Sequence, residues 1–443
     1  MAIQSQRQSV LAVVLSVAAV LAPACGEGQE LAQPVVNLQF NFADPGARSL
    51  GFGGAFVGLA ADATAAFANP AGLVQLGRPE ISLEGRRTSY STPYTEGGRA
   101  EGAPSGFGID NTVGLRTARS ENVVSGISFF SLAYPQGKWS IAFFRHQLAN
   151  FEFFGETQGL FGGGTSCCQR RFFDQRTTND FDFANLGLSG SYRVSETLSL
   201  GLGVTYLDAS LTAVTDAYVV DDDSVEALFR PNSYLPERWI FSDVATIEDG
   251  DWTLTGGFLW HVSQRWNIGG VYRQGPEVET GSELVAGTVF DFGVPPGEVI
   301  FRSPRVGVEF PSVFGLGFAY RAPDDRLTVS FQWDHIGYSS IVESLELDDQ
   351  TVDDADELHL GGEYVFHRST TLIGVRLGAW LDPDHQLRAT VDDPFTRALL
   401  PPGSGEMHYA GGVGLAFKRF QIDFGIDFSD QVDTASISAI YSF

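Results

Sequence analysis

The sequence is poor in charge, and poorest in positive charge. Charged residues are 19% of 443, and 54 acidic side chains against 28 basic ones leave a net charge of −26. A nucleic-acid partner requires a basic footprint, so that class is excluded. Long apolar runs are also missing: beyond residue 24 no stretch of about 18 apolar residues escapes polar interruption, so no transmembrane helix is expected. The three cysteines include no C-x-x-C spacing, which removes the usual signal for metal or dithiol work. The seven histidines are scattered, and G-x-S-x-G, H-E-x-x-H and P-loop motifs are absent. Gly51-Phe52-Gly53-Gly54 is no dinucleotide fingerprint, because Phe56 occupies the third glycine position and no strand precedes it. Neither an enzyme nor a cofactor is expected.

What is abundant is glycine, at 51, and phenylalanine, at 35, set in period-2 alternation. Leu198, Leu200, Leu202, Val204 and Tyr206 share one face, while Ser199, Gly201, Gly203 and Thr205 share the other. Such runs predict fourteen strands, near 80–90, 123–134, 138–150, 181–194, 197–211, 252–262, 265–274, 312–321, 326–336, 357–366, 371–381, 407–417, 419–429 and 434–443. Tight turns, as at Tyr134-Pro135-Gln136-Gly137 and Ala322-Pro323-Asp324-Asp325, alternate with long connections at 91–122, 151–180, 212–251, 275–311, 337–356 and 382–406. One-sided long loops are the habit of transmembrane β-barrels. An even strand number lets the first and last strands pair and removes the open edges. The chain ends on an alternating strand and Phe443, as outer-membrane barrels do, which implies the barrel-assembly machinery and outer-membrane lipid as partners. Residues 1–24 read as a secretory signal, with Arg7, an apolar core and Ala22-Pro23-Ala24 as cleavage site; Cys25 opens a weaker lipoprotein reading. The expected organisation is signal 1–24, an N-terminal segment 25–78 and an antiparallel barrel 79–443, in a Gram-negative-type outer membrane.

One stretch stands apart. Residues 48–73 are rich in Gly and Ala, nearly uncharged, and close on Asn69-Pro70-Ala71-Gly72-Leu73. Gly53 and Gly54 permit close backbone approach. The Ala-rich run 59–68 suits a short helix, which Pro70 ends by forcing Asn69 off helical angles. Small residues on all faces fit a segment packed inside something larger. Gly53, Gly54, Ala60-Ala61-Asp62-Ala63 and Asn69-Pro70-Ala71-Gly72-Leu73 resemble the plug of the FadL family of outer-membrane transporters. The resemblance implies a fourteen-stranded barrel with an N-terminal plug, passing hydrophobic small molecules such as long-chain fatty acids or aromatic hydrocarbons by passive diffusion. Gly46-Ala47-Arg48-Ser49 and Gly53-Gly54-Ala55-Phe56 also look like the PorV branch, whose barrels shuttle secreted cargo. A greasy path past Asn69-Pro70 is expected of a transporter, a sealed plug of the shuttle. FadL is described with an inward kink in its third strand that opens a lateral gate. The third strand here, 138–150, has no internal Gly or Pro after Gly137, so these residues do not locate such a kink, and the presence of a gate is left open.

If apolar strand faces meet lipid, then Arg273, Asp334, Glu363, Arg376, Asp423 and Asp427 point inward. Glu363 and Arg376 fall on neighbouring strands and can pair. The plain reading is a network bracing the plug; the sharper one gives Arg273 or Arg376 to an anionic ligand group. Phe151, Phe153, Phe154, Leu160, Phe161, Phe172 and Phe173, placed in an outer loop, form a candidate capture surface. Asp221-Asp222-Asp223 and the cluster Asp348, Asp349, Asp353, Asp354, Asp356 and Glu357 read as solvated loops, with calcium as the alternative. Adjacent Cys167-Cys168 can bridge only with strain.

Overall fold

Alternation becomes hydrogen-bonded ladder at all fourteen expected places. A computed structural model describes residues 44–162, 170–345, 347, 349–400 and 402–443. The signal segment, Cys25, the start of the segment 25–78, Cys167-Cys168 and Asp348 lie outside the described residues. The strands are β1 Glu80–Arg99, β2 Leu115–Gln136, β3 Trp139–Thr157, β4 Asp174–Arg193, β5 Leu198–Tyr218, β6 Trp239–His261 and β7 Trp266–Arg273, followed by β8 Val313–Arg321, β9 Leu327–Ile336, β10 Ala355–Arg368, β11 Thr371–Asp382, β12 Glu406–Phe417, β13 Phe420–Phe428 and β14 Val432–Ser442. Each pairs antiparallel with the next. β14 returns to β1, from Glu80 opposite Ser442 to Tyr90 opposite Val432, and closes the barrel.

Several strands run well past their expected ends. β3 continues to Thr157 and β5 to Tyr218. The physical reason is a change of phase. Low on β5, Leu200, Leu202 and Val204 face outward, and Ser199, Gly201 and Thr205 face in. From Leu207 upward the apolar side chains Leu207, Ala209 and Leu211 are buried inside, while Asp208, Ser210 and Thr212 are exposed. β4 does the same, with Leu186 and Leu188 out below and Phe181 and Phe183 in above. The lower storey suits lipid outside. The upper storey is built like a water-soluble sheet, polar outside and greasy within. Much of what reads as outer loop is therefore strand.

Residues 44–78 lie inside this wall. Two short helices, α1 Ala47–Gly51 and α2 Ala65–Ala68, precede a 3-10 turn Pro70–Gln75. The expected helix over 59–68 shrinks to four residues. Asp62 is the cause: its carboxylate takes the Thr64 amide at 3.0 Å and the Thr64 hydroxyl at 2.5 Å, so a side-chain turn replaces helical bonding. Asn69 is extended at φ −157° and ψ 102°, as Pro70 demands.

Candidate functional site: a braced inner segment, an apolar chamber and a break in the wall

The inner segment touches every barrel strand. From β1, Glu84 accepts the Gly46 amide at 2.9 Å; from β14, the Ser438 hydroxyl accepts the Ala47 amide at 3.3 Å. Ser131 of β2 and Ser189 of β4 donate to the Ala63 and Ala66 carbonyls. Gln332 of β9 accepts the Phe56 and Val57 amides at 2.8 and 2.7 Å. Where such bonds are lacking, the wall offers glycine. A Cβ on Gly201, Gly317, Gly378 or Gly425, on four different strands, would strike inner-segment backbone. On the segment itself, Gly53 and Gly54 take φ of +63° and +79°, and a Cβ on Gly54 would meet the His359 ring at 2.9 Å. Gly72 packs directly on Ala60.

Asn69 is the most fully used side chain of the segment. Its Oδ1 accepts the Ala71 amide at 3.2 Å, and its Nδ2 donates to the Val57 carbonyl at 3.1 Å and to the Phe258 carbonyl of β6 at 3.0 Å. One amide thus caps the turn, joins two parts of the segment and pins both to the wall. Asn69, Pro70 and Ala71 are buried and sit on Gly201 and Gly257. At these two glycines the segment lies directly against the wall, with no room for even a Cβ between them.

The predicted pair forms. Arg376 Nε donates to Glu363 at 2.7 Å and Nη1 to Asp423 at 2.7 Å; Glu363 also takes Arg48 of the segment at 3.2 Å, and Arg48 lies 3.7 Å from Asp62. Arg273 bonds Asp44 at 2.6 Å and the Ala68 carbonyl at 2.8 Å, with its cation 4.7 Å from the Phe67 ring. Both guanidiniums are already paired to carboxylates; Arg273 bonds the segment directly, and Arg376 is joined to it through Glu363 and Arg48. Asp427 holds Trp380 Nε1 at 3.0 Å and His408 at 2.6 Å.

Above the segment the upper storey encloses an apolar cluster. Phe151 and Phe153 of β3 belong to it, with Tyr90, Phe181, Phe183, Leu207, Phe310 and Ile336. Phe154 does not: strand alternation turns it outward, half exposed, so the three phenylalanines cannot form one surface. Leu160 and Phe161 are buried beside β1 in a short strand, and Phe161 stacks on Phe229.

The chamber opens sideways. β2 pairs with β3 only from Phe129–His146 down to Gln136–Trp139, although β2 follows β1 up to Leu115 and β3 follows β4 up to Thr157. Residues 123–128 of β2 and 147–153 of β3 form no ladder with each other. Higher up, Asn122 bonds Glu152 and the Phe154 amide bonds the Ser120 hydroxyl, each at 3.0 Å, which closes the top of a window. A cavity of about 80 Å³ lies there, lined by Tyr90, Val124, Ser128, Leu148 and Ala149 among others. The bend has a cause that glycine and proline counting misses. Leu148 is an extra residue in the β3–β4 register, between the Gln147–Ala184 and Ala149–Phe183 pairs. Leu148 and Ala149 both point inward, so the bulge reverses the phase of β3 and bends it away from β2. The break that glycine and proline could not locate is marked instead by this extra leucine. His146, at the bottom of the window, is fully buried 4.2 Å from the Phe67 ring of the segment.

Between segment and chamber lies a polar group absent from the sequence reading as a unit. His359, Asp334 and Glu357 converge, with Trp380 stacked between His359 and His408 at 5.1 and 3.8 Å. Glu357, read as a loop acid, is an inner-wall residue of β10. The loop acids behave otherwise. Asp222 pairs with Arg230 at 3.3 Å and Asp223 with Arg238 at 3.0 Å, stapling the outer connection.

No protein-family model and no curated protein matches the chain. Solved structures do. A Pseudomonas aeruginosa FadL homologue superposes with a TM-score of 0.62 at 14% identity, covering 92% of this chain and 99% of its own. The CymD monoaromatic hydrocarbon channel gives 0.53 at 14%, and the Ralstonia pickettii toluene transporter TbuX 0.53 at 16%, each covering 91% of this chain and 99% of its own. The closed barrel with its apolar lower belt has the fold of the FadL-type channels.

Proposed function

We propose that this barrel takes up hydrophobic small molecules by passive diffusion, admitting them to the upper chamber and releasing them sideways between β2 and β3 at the foot of the break, where the outward Ile127 and Leu186 begin the apolar belt. The window carries the reading. Unpaired strand edges are costly in a membrane, and here the break opens onto a greasy interior. Residues 44–78, the described part of the segment 25–78, serve as the plug below it. The seal at Asn69-Pro70 is what a cargo shuttle would need, but a sideways route never crosses that seal. Channels of the same fold are named for aromatic hydrocarbons and toluene, which makes such compounds, with long-chain fatty acids, the first substrates to try. The test is uptake in cells lacking other hydrophobic-compound channels. Expression should speed entry of toluene or a long-chain fatty acid and leave a hydrophilic sugar unchanged. Equal entry with and without the folded barrel would overturn the proposal.

A further inference from the structure

We propose that His359, Asp334 and Glu357 bind a first-row divalent ion such as Zn²⁺, which latches the inner segment to the barrel wall. The inference stands whatever the barrel transports.

The tautomer comes first. His359 Nδ1 lies 2.8 Å from the Gly53 carbonyl. A carbonyl only accepts, so Nδ1 carries a proton, and Nε2 is the atom turned to the carboxylates. A ring nitrogen donating to a backbone carbonyl while the other faces a ligand is the habit of metal-bound histidine. Nε2 lies 3.4 Å from Asp334 Oδ2 and 3.2 Å from Glu357 Oε2, and one donor atom from each of the three residues falls within 4.8 Å of the others. A tetrahedral ion with bonds of about 2.0–2.1 Å separates its ligands by about 3.3 Å. The two distances from Nε2 already match that spacing, and the two carboxylate oxygens lie within 4.8 Å of each other.

The second observation is an orphan. Asp334 is more than nine-tenths buried, its Oδ2 accepts from Gln332 at 2.6 Å, and its Oδ1 has no hydrogen-bond partner among the described residues. Charge points the same way. The adjoining cavity of about 60 Å³ is lined by Asp44, Asp334, Glu357, Asp382 and Asp427 and by no lysine or arginine. Asp44 is answered by Arg273, Asp427 by His408 and Asp382 by His385. Asp334 and Glu357 are left sharing one imidazole, so even its protonation leaves a buried negative charge. A divalent ion with a neutral histidine balances the group. One nitrogen and two carboxylates suit a borderline ion such as Zn²⁺ better than the all-oxygen preference of Ca²⁺ or Mg²⁺.

The surroundings give the site a role. Gly53, whose carbonyl orients His359, belongs to the inner segment. Gln332 fixes Asp334 with one end of its amide and accepts the Phe56 and Val57 amides with the other. An ion held by β9 and β10 therefore stiffens two contacts of the segment at once.

The experiment uses the full chain purified in detergent, stripped with chelator and titrated with Zn²⁺ against a chromophoric competitor. One Zn²⁺ per folded barrel is expected. Binding should weaken at least tenfold in His359→Phe, which keeps a ring against Trp380, and in Glu357→Gln. Zn²⁺ should also raise the heat-modifiability temperature of the wild type but of neither variant. Should His359→Phe not fold, Glu357→Gln decides, with Co²⁺ absorption of the wild type reporting a four-coordinate site. His335→Phe, in an exposed pair with Asp356, should bind like the wild type. No Zn²⁺ retained by the wild type, or binding that survives Glu357→Gln or is lost in His335→Phe, would overturn the proposal.

Discussion

Deleting Leu148 should close the window without unfolding the barrel. The deletion restores regular alternation: His146 already faces in, Gln147 is turned away, Ala149 faces in and Asn150 is turned away, so both halves of β3 keep their faces. With the Leu148 bulge gone and Ser128 still bulged on β2, residues 123–127 of β2 gain a partner in matching phase. About five ladder hydrogen bonds become available, at about 1 kcal/mol each. Against them stands the lost burial of one leucine, about 1.5–3 kcal/mol. The balance favours a zipped wall by a few kcal/mol, before the displaced apolar contacts are counted. The deleted barrel should therefore melt in a heat-modifiability gel at or above the wild-type temperature. Uptake of a hydrophobic probe, normalised to folded barrel, should fall at least tenfold. A deletion that folds and still transports at the wild-type rate would refute the sideways route, and one that cannot fold would refute the ladder argument.

Three further outcomes follow from the inner network. Glu363→Gln leaves Arg376 and Arg48 without a shared carboxylate and should cost about 3–5 kcal/mol; replacing Glu363 and Arg376 together by apolar residues should cost less, and additive losses in the double-mutant cycle would refute the coupling. Asn69→Ala removes three hydrogen bonds inside a buried turn and should destabilise by about 1–3 kcal/mol while the barrel still assembles, read by heat modification, since no strand pairing depends on it. In the outer connection, burial alone would lower the pKa of His385, but Asp382 and the Pro383 carbonyl outweigh it and hold it at about 9. A raised folded pKa means this stabilisation is complete below about pH 6.5 and is lost as pH rises through about 9; His385→Gln should flatten that part of the melting profile.

The lower barrel was legible because lipid outside enforces a clean apolar face, as in Leu200, Leu202 and Val204. The upper barrel was not, because the same period-2 rule continues there in the opposite phase. Phe181, Phe183 and Leu207 alternate as strictly, and a search tuned to lipid-facing residues passes over them. The Glu363–Arg376 pair was readable from neighbouring strands. The window was hidden, since the two bulges beside it, at Leu148 of β3 and Ser128 of β2, fall on neither glycine nor proline. The His359 group was hidden too, because register and the fold of the inner segment bring its members together with Gly53. Wall glycines such as Gly201 and Gly378 were a readable signal left unused: small residues on an inner face mark where another backbone lies.

The most direct test of the central claim is to ask where a hydrophobic molecule leaves the barrel. A photoreactive long-chain fatty acid, added from outside to intact cells and activated during uptake, should leave adducts on Val124, Leu148 and Ala149. Adducts confined to Leu59, Gln75 and Tyr320, which line the mouth below the inner segment, with none at the window, would show that the molecule passes through the plug and would contradict the account.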